Sequence, residues 1–433
     1  MVVDAVESGF GMHMIARSQS LIMAFIVGSF LTCTVSAMFD NRYMVSAMDQ
    51  RPFLRHYRSI HLAVEPCMIL ANRAYNSFDD NQQVFDSNGT YDLYYLDESL
   101  RLAGLIEQSF LRSDWNHVTQ IPFIRDGFFS AQGAMVSGYF DPICNLRLGF
   151  ATSFFHVCSR AQFLFDAGHG NLTLQGPGDE QDLLSEKAAI HNFMGIEPAV
   201  WSTSTLGDTD IYARYAFVRE YWNKFRYINC GIRGGIIIPS GQSHEINQPL
   251  SVPVGGDKHW GVYGMIDAAC VLKEDVQAGL YVRVQKRFGR TAQSRFPRNR
   301  ELPEYGVLTG PLHNDPGFTI GFQPYMVLEH MRGGFGCFLS YTGTFHTKDH
   351  FSDKRCILIN TQNSANLGSL CEHSDWSTDY VTIGAFYDTA CDCDDECTKK
   401  PIFMAFWDIP AGMIGGKNAF KSNGLSIRCE VQF

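Results

Sequence analysis

The chain has 433 residues, enough for two or three ordinary domains or for one large all-β unit. Only 18% of them are charged while aromatics reach 13%, and the net charge of −10 excludes a nucleic-acid surface built on clustered Lys and Arg.

The first element in chain order is a leader. Arg17 precedes an apolar run from Leu21 to Val35, and small residues follow at Val35-Ser36-Ala37. That order predicts a secretory signal peptide over 1–37 with cleavage after Ala37. Initiation at Met14 suits it better, because Asp4 and Glu7 are out of place in a basic n-region. Thr32 ahead of Cys33 disfavours a lipoprotein site. A membrane-anchor helix is the alternative, but the run is short for the roughly 20 residues that a span needs.

Beyond residue 57 the polarity alternates in segments of about ten residues, the pattern of a strand with two different faces. Strands are expected at 58–72, 127–140, 144–157, 208–221, 225–239, 258–272, 276–288, 316–330, 334–347, 377–390, 400–409 and 423–433. The connections alternate as well. Segments 73–126, 159–207, 240–257, 289–315 and 348–376 are long, whereas 141–143, 222–224, 273–275 and 331–334 are tight and carry turn residues. Two long connections hold helical signals, at 91–110 and at 178–196, where Asp179 and Glu180 suit a first turn. These helices are expected to fold into a pore as a constriction, since Leu100, Leu102, Leu105 and Ile106 need an apolar cover; capping the outside is the other reading. Pro239 in GGIIIPSG reads only as a strand exit.

The faces are readable strand by strand. In AGLYVRVQKRF, Leu280, Val282, Val284 and Phe288 oppose Tyr281, Arg283, Gln285 and Arg287. Ile228, Cys230, Ile232, Ile236 and Ile238 oppose Tyr227, Asn229 and Arg233, and Leu146, Leu148, Phe150 and Phe154 oppose Arg147, Gly149 and Ser153. A face of Arg, Gln and Asn cannot fill a dry core, because unpaired buried charge is too costly. It faces water outside a sandwich or water inside a barrel.

The last residues, LSIRCEVQF, bear on that choice. Leu425, Ile427, Cys429, Val431 and Phe433 alternate with Ser426, Arg428, Glu430 and Gln432, so the chain stops on a complete two-faced strand ending in an aromatic. This resembles the terminal insertion signal of porin-like bacterial outer-membrane β-barrel proteins, with Leu425, Ile427, Val431 and Phe433 at its apolar positions and Val431 where an aromatic is usual. The resemblance implies an all-β fold, an antiparallel transmembrane β-barrel of about twelve strands (ten to fourteen) over 57–433. Residues 38–56 become a periplasmic segment and the long connections become extracellular loops. It further implies outer-membrane lipid, barrel-assembly machinery and small polar solutes as partners, with no nucleic acid and a homo-oligomer left open. Fatty-acid-type transporters of the class begin with a helical hatch; here the first strand starts soon after the cleavage site.

On this reading the inward rows collect Arg147, Arg214, Arg233, Arg283, Arg287 and Arg428 with Asp267, Glu329, Asp388, Asp408 and Glu430. Arg147, Arg233, Arg283, Arg287, Asp267 and Glu329 are the candidate lumen-lining residues, either sorting solutes in a transverse field or pairing to plug a narrow barrel. No cofactor or metal is implied. Of the thirteen cysteines, CDCDDEC places Cys391, Cys393 and Cys397 among carboxylates; a local disulfide is expected ahead of a metal site, because no zinc spacing is present. Enzyme motifs are poor: neither G-x-S-x-G nor H-E-x-x-H occurs, and only Ser243, Asp257 and His259 at one strand mouth offer a hydrolase arrangement. The expected activity is therefore passive passage of small polar or charged solutes, against a surface adhesion barrel with a blocked lumen or, further off, a barrel hydrolase.

Overall fold

The computed structural model describes residues 60–433, apart from 79, 87–88, 116–117, 144, 171, 198, 221–226, 274, 299, 357–363, 390–400 and 433. The leader and periplasmic segment expected over 1–56, the turn at 222–224, Cys391, Cys393, Cys397 and Phe433 lie outside the described residues.

The described residues form eighteen strands and three α-helices. The strands are β1 (Ile60–Tyr75), β2 (Asn81–Gln83), β3 (Tyr91–Asp92), β4 (Pro122–Ile143), β5 (Leu146–Phe165), β6 (Val200–Leu206), β7 (Thr209–Glu220), β8 (Tyr227–Ile238), β9 (Gly261–Lys273), β10 (Val276–Arg287), β11 (Arg290–Phe296), β12 (Leu308–Asp315), β13 (Phe318–Arg332), β14 (Phe335–His346), β15 (His350–Asp353), β16 (Trp376–Asp388), β17 (Ile402–Pro410) and β18 (Ala419–Gln432). The helices are α1 (Leu93–Leu102), α2 (Pro177–Phe193) and α3 (Leu367–Glu372).

Twelve of the strands form one closed antiparallel barrel in the order β1-β18-β17-β16-β14-β13-β10-β9-β8-β7-β5-β4. β1 closes it by pairing on both sides, so that Leu62 is opposite Val431 on one edge and Gly138 on the other. Closure leaves no ladder edge, the condition for a sheet in lipid. These twelve are the twelve strands expected from the alternation. The terminal strand is complete because β1 needs it as a partner.

The alternation has a physical cause that the structure displays. On β10 Leu280 and Val284, and just past it Phe288, are about half exposed and point outward, while Tyr281, Arg283, Gln285 and Arg287 are buried inside. Ile232, Ile236 and Ile266 stand outward on β8 and β9, and Leu425 does so on β18. An outer face of exposed Ile, Leu, Val and Phe is stable only against hydrocarbon. Among the described residues no helix is long and apolar enough to cross a membrane.

Two turns differ in place from the expectation. Asp141-Pro142-Ile143 still belongs to β4, with β5 starting at Leu146, and Met331 and Arg332 still belong to β13. The turn that follows uses Gly333 and Gly334 at φ 53° and 84°, a region where a Cβ would be strained.

At the long-loop end, α1 and α2 pack with β3, the outer parts of β4 and β5, and the small sheet β11-β12-β15. Leu93, Leu96, Leu100, Trp115, Leu183, Ile190 and Tyr305 share this second core. The expected constriction is thereby corrected: the helices cover one another above the barrel, and Leu102 and Leu105 are about half exposed. Their apolar partners are supplied by the loops around them.

Candidate functional site in the barrel lumen

Inside the barrel the register lines up arginines. Arg147 is the cross-strand partner of Arg214, Arg214 of Arg233, and Arg233 of Met265, whose next partner is Arg283. Rows along the hydrogen-bonding direction climb around a tilted barrel, so the four guanidiniums form a rising band on β5, β7, β8 and β10. Each inward position follows from period-2 alternation beside an outward Ile, Leu, Val or Ala.

Buried cations need partners, and these have them. Asp267 accepts two hydrogen bonds from Arg214, one from Nε at 2.9 Å. Arg283 lies 3.6 Å from Asp210, donates to Gln285 Oε1 at 2.8 Å and sits 3.8 Å above the Tyr263 ring. Arg233 is 1% exposed and lies 4.3 Å above the Tyr212 ring. Guanidinium on an aromatic face keeps its charge while giving up water, which a Lys would do less well.

Counting strands round the ring, β7–β10 face β1 and β16–β18. There the inner wall is acidic: Glu65, Asp408 and Glu430 are all buried, with Arg428 donating to Glu430 at 3.0 Å and lying 3.4 Å from Glu65. The two walls thus differ in net charge, the arginine band being partly offset by Asp210 and Asp267 and the carboxylates by Arg428, and that difference sets up a transverse field.

The candidate residues divide between two places. Arg233, Asp267, Arg283 and Arg287 are buried within the lumen. Arg147 and Glu329 belong to the short-turn rim: Arg147 is held bidentately by Asp141 at 2.8 and 3.0 Å over the Tyr139 ring, and Glu329 is half-buried beside the turn at Asp275. The outward row Leu425, Ile427, Val431 lies on β18 as the alternation requires.

Sequence reasoning missed what fills the upper lumen. The long connection from Gly241 to Gly256 turns inward as a strap, with Leu250, Val252 and Val254 buried against Ile69, Ala71, Phe129, Ala131, Ala151, Phe155 and Val157 on the inner faces of β1, β4 and β5. The strap lies along this inner face. Pro249 and Pro253 lack N–H donors, which suits an inserted segment that pairs with no strand. Burying the three aliphatic side chains stabilises the inserted state by about 1.5–3 kcal/mol each.

Asp208, also missed, clamps both ends of the strap. It sits where Gly207-Asp208 joins β6 to β7, two strands that pair with the same neighbour, β5. Its carboxylate accepts from the amides of Gly241 (3.1 Å) and Gly256 (2.8 Å) and lies 2.8 Å from Arg287, whose Nη1 donates to the carbonyl of His259 at 2.8 Å. The interruption of alternation at Gly207-Asp208 was the available signal.

The hydrolase arrangement does not assemble. His259 turns Nδ1 to the Phe288 carbonyl at 2.8 Å, and Asp257 accepts from the His244 amide at 2.8 Å. Burial lowers the His259 pKa. No cluster of three or more metal-ligating side chains occurs among the described residues.

No family model matches the chain, and no curated protein matches it. Solved structures similar to it include an outer-membrane channel of Pseudomonas putida F1, with 9% identity over 89% of this chain and 100% of that one at a TM-score of 0.49. The Pseudomonas putida toluene transporter TodX shares 8% identity over 88% of this chain and 89% of its own, at a TM-score of 0.28. Pseudomonas aeruginosa OprD shares 10% over 92% and 99%, at 0.25. At such identities the solute has to be read from this chain's own side chains.

Proposed function

We propose that the protein is an outer-membrane channel through which small polar or charged solutes pass by diffusion, with no chemical step. The observation that carries this reading is the inward arginine band of Arg214, Arg233 and Arg283 facing Glu65, Asp408 and Glu430. Charges buried in a barrel cost stability unless they are paired, and hydrophobic side chains of the same size would plug the lumen at less cost. Their arrangement on opposite walls is what a passage for polar solutes uses: a cation-rich wall draws the negative end of a solute while the acidic wall draws the positive end.

Single-channel recording in planar bilayers tests it. The wild-type chain is expected to conduct with an ion preference that shifts toward cations in Arg283→Gln, since one positive charge leaves the narrow section. Conductance with an unchanged reversal potential would remove Arg283 from the path. No conductance from a correctly folded barrel would favour the adhesion reading with a blocked lumen.

A second reading has its own observation. Toward the long-loop end the inner wall on β1, β4 and β5 is apolar, with Ile69, Phe129, Phe155 and Val157 all buried there. This favours a small hydrophobic solute travelling along that wall. Uptake of an uncharged aromatic compound into loaded vesicles, insensitive to Arg283→Gln, distinguishes it from the polar channel.

A further inference from the structure

We infer that the strap Gly241–Gly256 is the channel's gate, and that Asp208 is the latch that holds it shut; the inference rests on the channel reading above.

Four observations carry it. The first is position. Leu250, Val252 and Val254 lie along the inner face of β1, β4 and β5, so the upper lumen is filled by a loop rather than by wall side chains. The second is self-containment. The strap satisfies much of its own backbone: Val254 donates to the Gln242 carbonyl at 3.2 Å, Gln248 to that of Glu245 at 3.0 Å, and the Ser251 hydroxyl accepts from the Glu245 amide at 2.9 Å. A loop bonded internally can leave the lumen as a unit without exposing these amides, once its ties to its neighbours break, among them Arg295 Nε to the Ile246 carbonyl at 2.7 Å and Trp201 Nε1 to Glu245 at 3.2 Å.

The third is the attachment. Both ends hang on one carboxylate, and no side chain fits between latch and strap. A Cβ on Gly255 would meet Asp208 Cγ at 2.5 Å, and one on Gly256 would meet Arg287 Cζ at 1.9 Å. The return to β9 is tense as well, with Gly255, Asp257 and Lys258 at φ 95°, 49° and 64°. For the two non-glycine residues this is an unfavourable conformation that the closed state must hold in place. The fourth is asymmetry. On one side the strap meets the packed inner face, and on the other Pro249, Leu250, Val252 and Pro253 form part of the wall of a cavity of about 330 Å³ at the long-loop end. The cavity-facing side chains of a released strap have open space beside them.

The test compares three full-length variants with the wild type in planar bilayers, each first shown to be folded by the gel shift between unboiled and boiled samples. Val252→Asp places a carboxylate against the apolar inner face and expels the strap; Asp208→Asn weakens the latch; replacing Gln242–Pro253 by a short Gly-Ser link removes the gate. The wild type is expected to be closed most of the time. Val252→Asp and Asp208→Asn are expected to raise the open probability at least tenfold with the open-state conductance unchanged, and the shortened chain is expected to remain open. If the wild type conducts and all three variants gate as it does, the gate is overturned and the channel reading stands. If the folded shortened chain conducts nothing, the channel reading itself fails and the gate with it.

Discussion

Asp208 and Arg287 meet at 2.8 Å with side chains 1% and 3% exposed, and they join three parts of the chain that are distant in sequence: the β6–β7 joint, the strap and the end of β10. Removing one partner of such a pair leaves an uncompensated buried charge. Asp208→Ala is expected to cost about 3–5 kcal/mol, the range for breaking a buried ion pair. It also takes away the acceptor shared by the Gly241 and Gly256 amides. Urea unfolding in detergent checks this; a loss under 1 kcal/mol would mean that water already screens the pair.

Arg214 and Asp267 report on how dry the lumen is. In a filled lumen, Arg214→Met leaves Asp267 buried alone and costs about 3–5 kcal/mol, whereas the double variant Arg214→Met with Asp267→Leu is near neutral because neither charge remains. In a water-filled lumen the single change costs only about 0–1 kcal/mol. A double-mutant cycle by urea unfolding separates the two cases; with the strap in place the low exposure of both side chains predicts the first, and the chain shortened over Gln242–Pro253 is expected to move toward the second.

The outward face makes a different prediction. Ile266, 61% exposed on β9, stands among Ile232, Ile236 and Val262. Ile266→Arg is expected to destabilise the barrel by about 2–4 kcal/mol in a lipid bilayer, the cost of a cation near the midplane of the lipid face. The same change on a surface facing water would cost about 0.5 kcal/mol or less. Folding titrations into phospholipid vesicles give the number.

The barrel was legible because lipid enforces a simple rule on every wall strand. AGLYVRVQKRF and LSIRCEVQF each write apolar residues outward and polar ones inward with period 2, so twelve strands could be placed with no tertiary information. Turn positions shifted by two or three residues, since the strands run past the membrane and Asp141-Pro142-Ile143 extends β4 where turn residues suggest an end. The strap was not legible. PLSVPV between two strands reads as an apolar loop, and its cover comes from the inner faces of β1, β4 and β5, of which β1 joins the β4–β5 hairpin only when the ring closes. Nor could Leu102 be told from Leu100: one helix turn carries both, and which one is covered depends on where Tyr305 and Phe296 fold back from beyond β10. The lumen arginines were readable as a face, but their carboxylate partners Asp208 and Asp210 were not, because the bent joint ahead of β7 hides their direction.

The cap formed by α1, α2 and the β11–β12 sheet carries groups with opposite pH behaviour, Glu301 and His191 among them. Burial raises the Glu301 carboxyl to about 7, although it accepts the amides of Arg298 and Val307 at 3.1 and 3.2 Å. Burial lowers His191 to about 3, beside Tyr91, whose hydroxyl lies 2.8 Å from Nε2. For Glu301 the folded cap favours the protonated form, so its contribution is fully present below about 4.5 and is lost as pH rises through 7. For His191 the folded cap favours the neutral ring, so its contribution is present above about 6.5 and is lost as pH falls toward 3. The two slopes oppose each other between about 4.5 and 6.5, where the cap should be close to its most stable. Glu301→Gln is expected to shrink the loss above 4.5, what remains coming from Glu186 on α2, which burial also raises to about 7, while His191→Gln removes the acid-side loss and keeps the loss above 4.5, of order 3 kcal/mol by pH 7 for Glu301. Amide exchange of α2, corrected for intrinsic rates and followed from pH 4 to 8, reads both. Identical profiles in the two variants would show that neither group is coupled to opening of the cap.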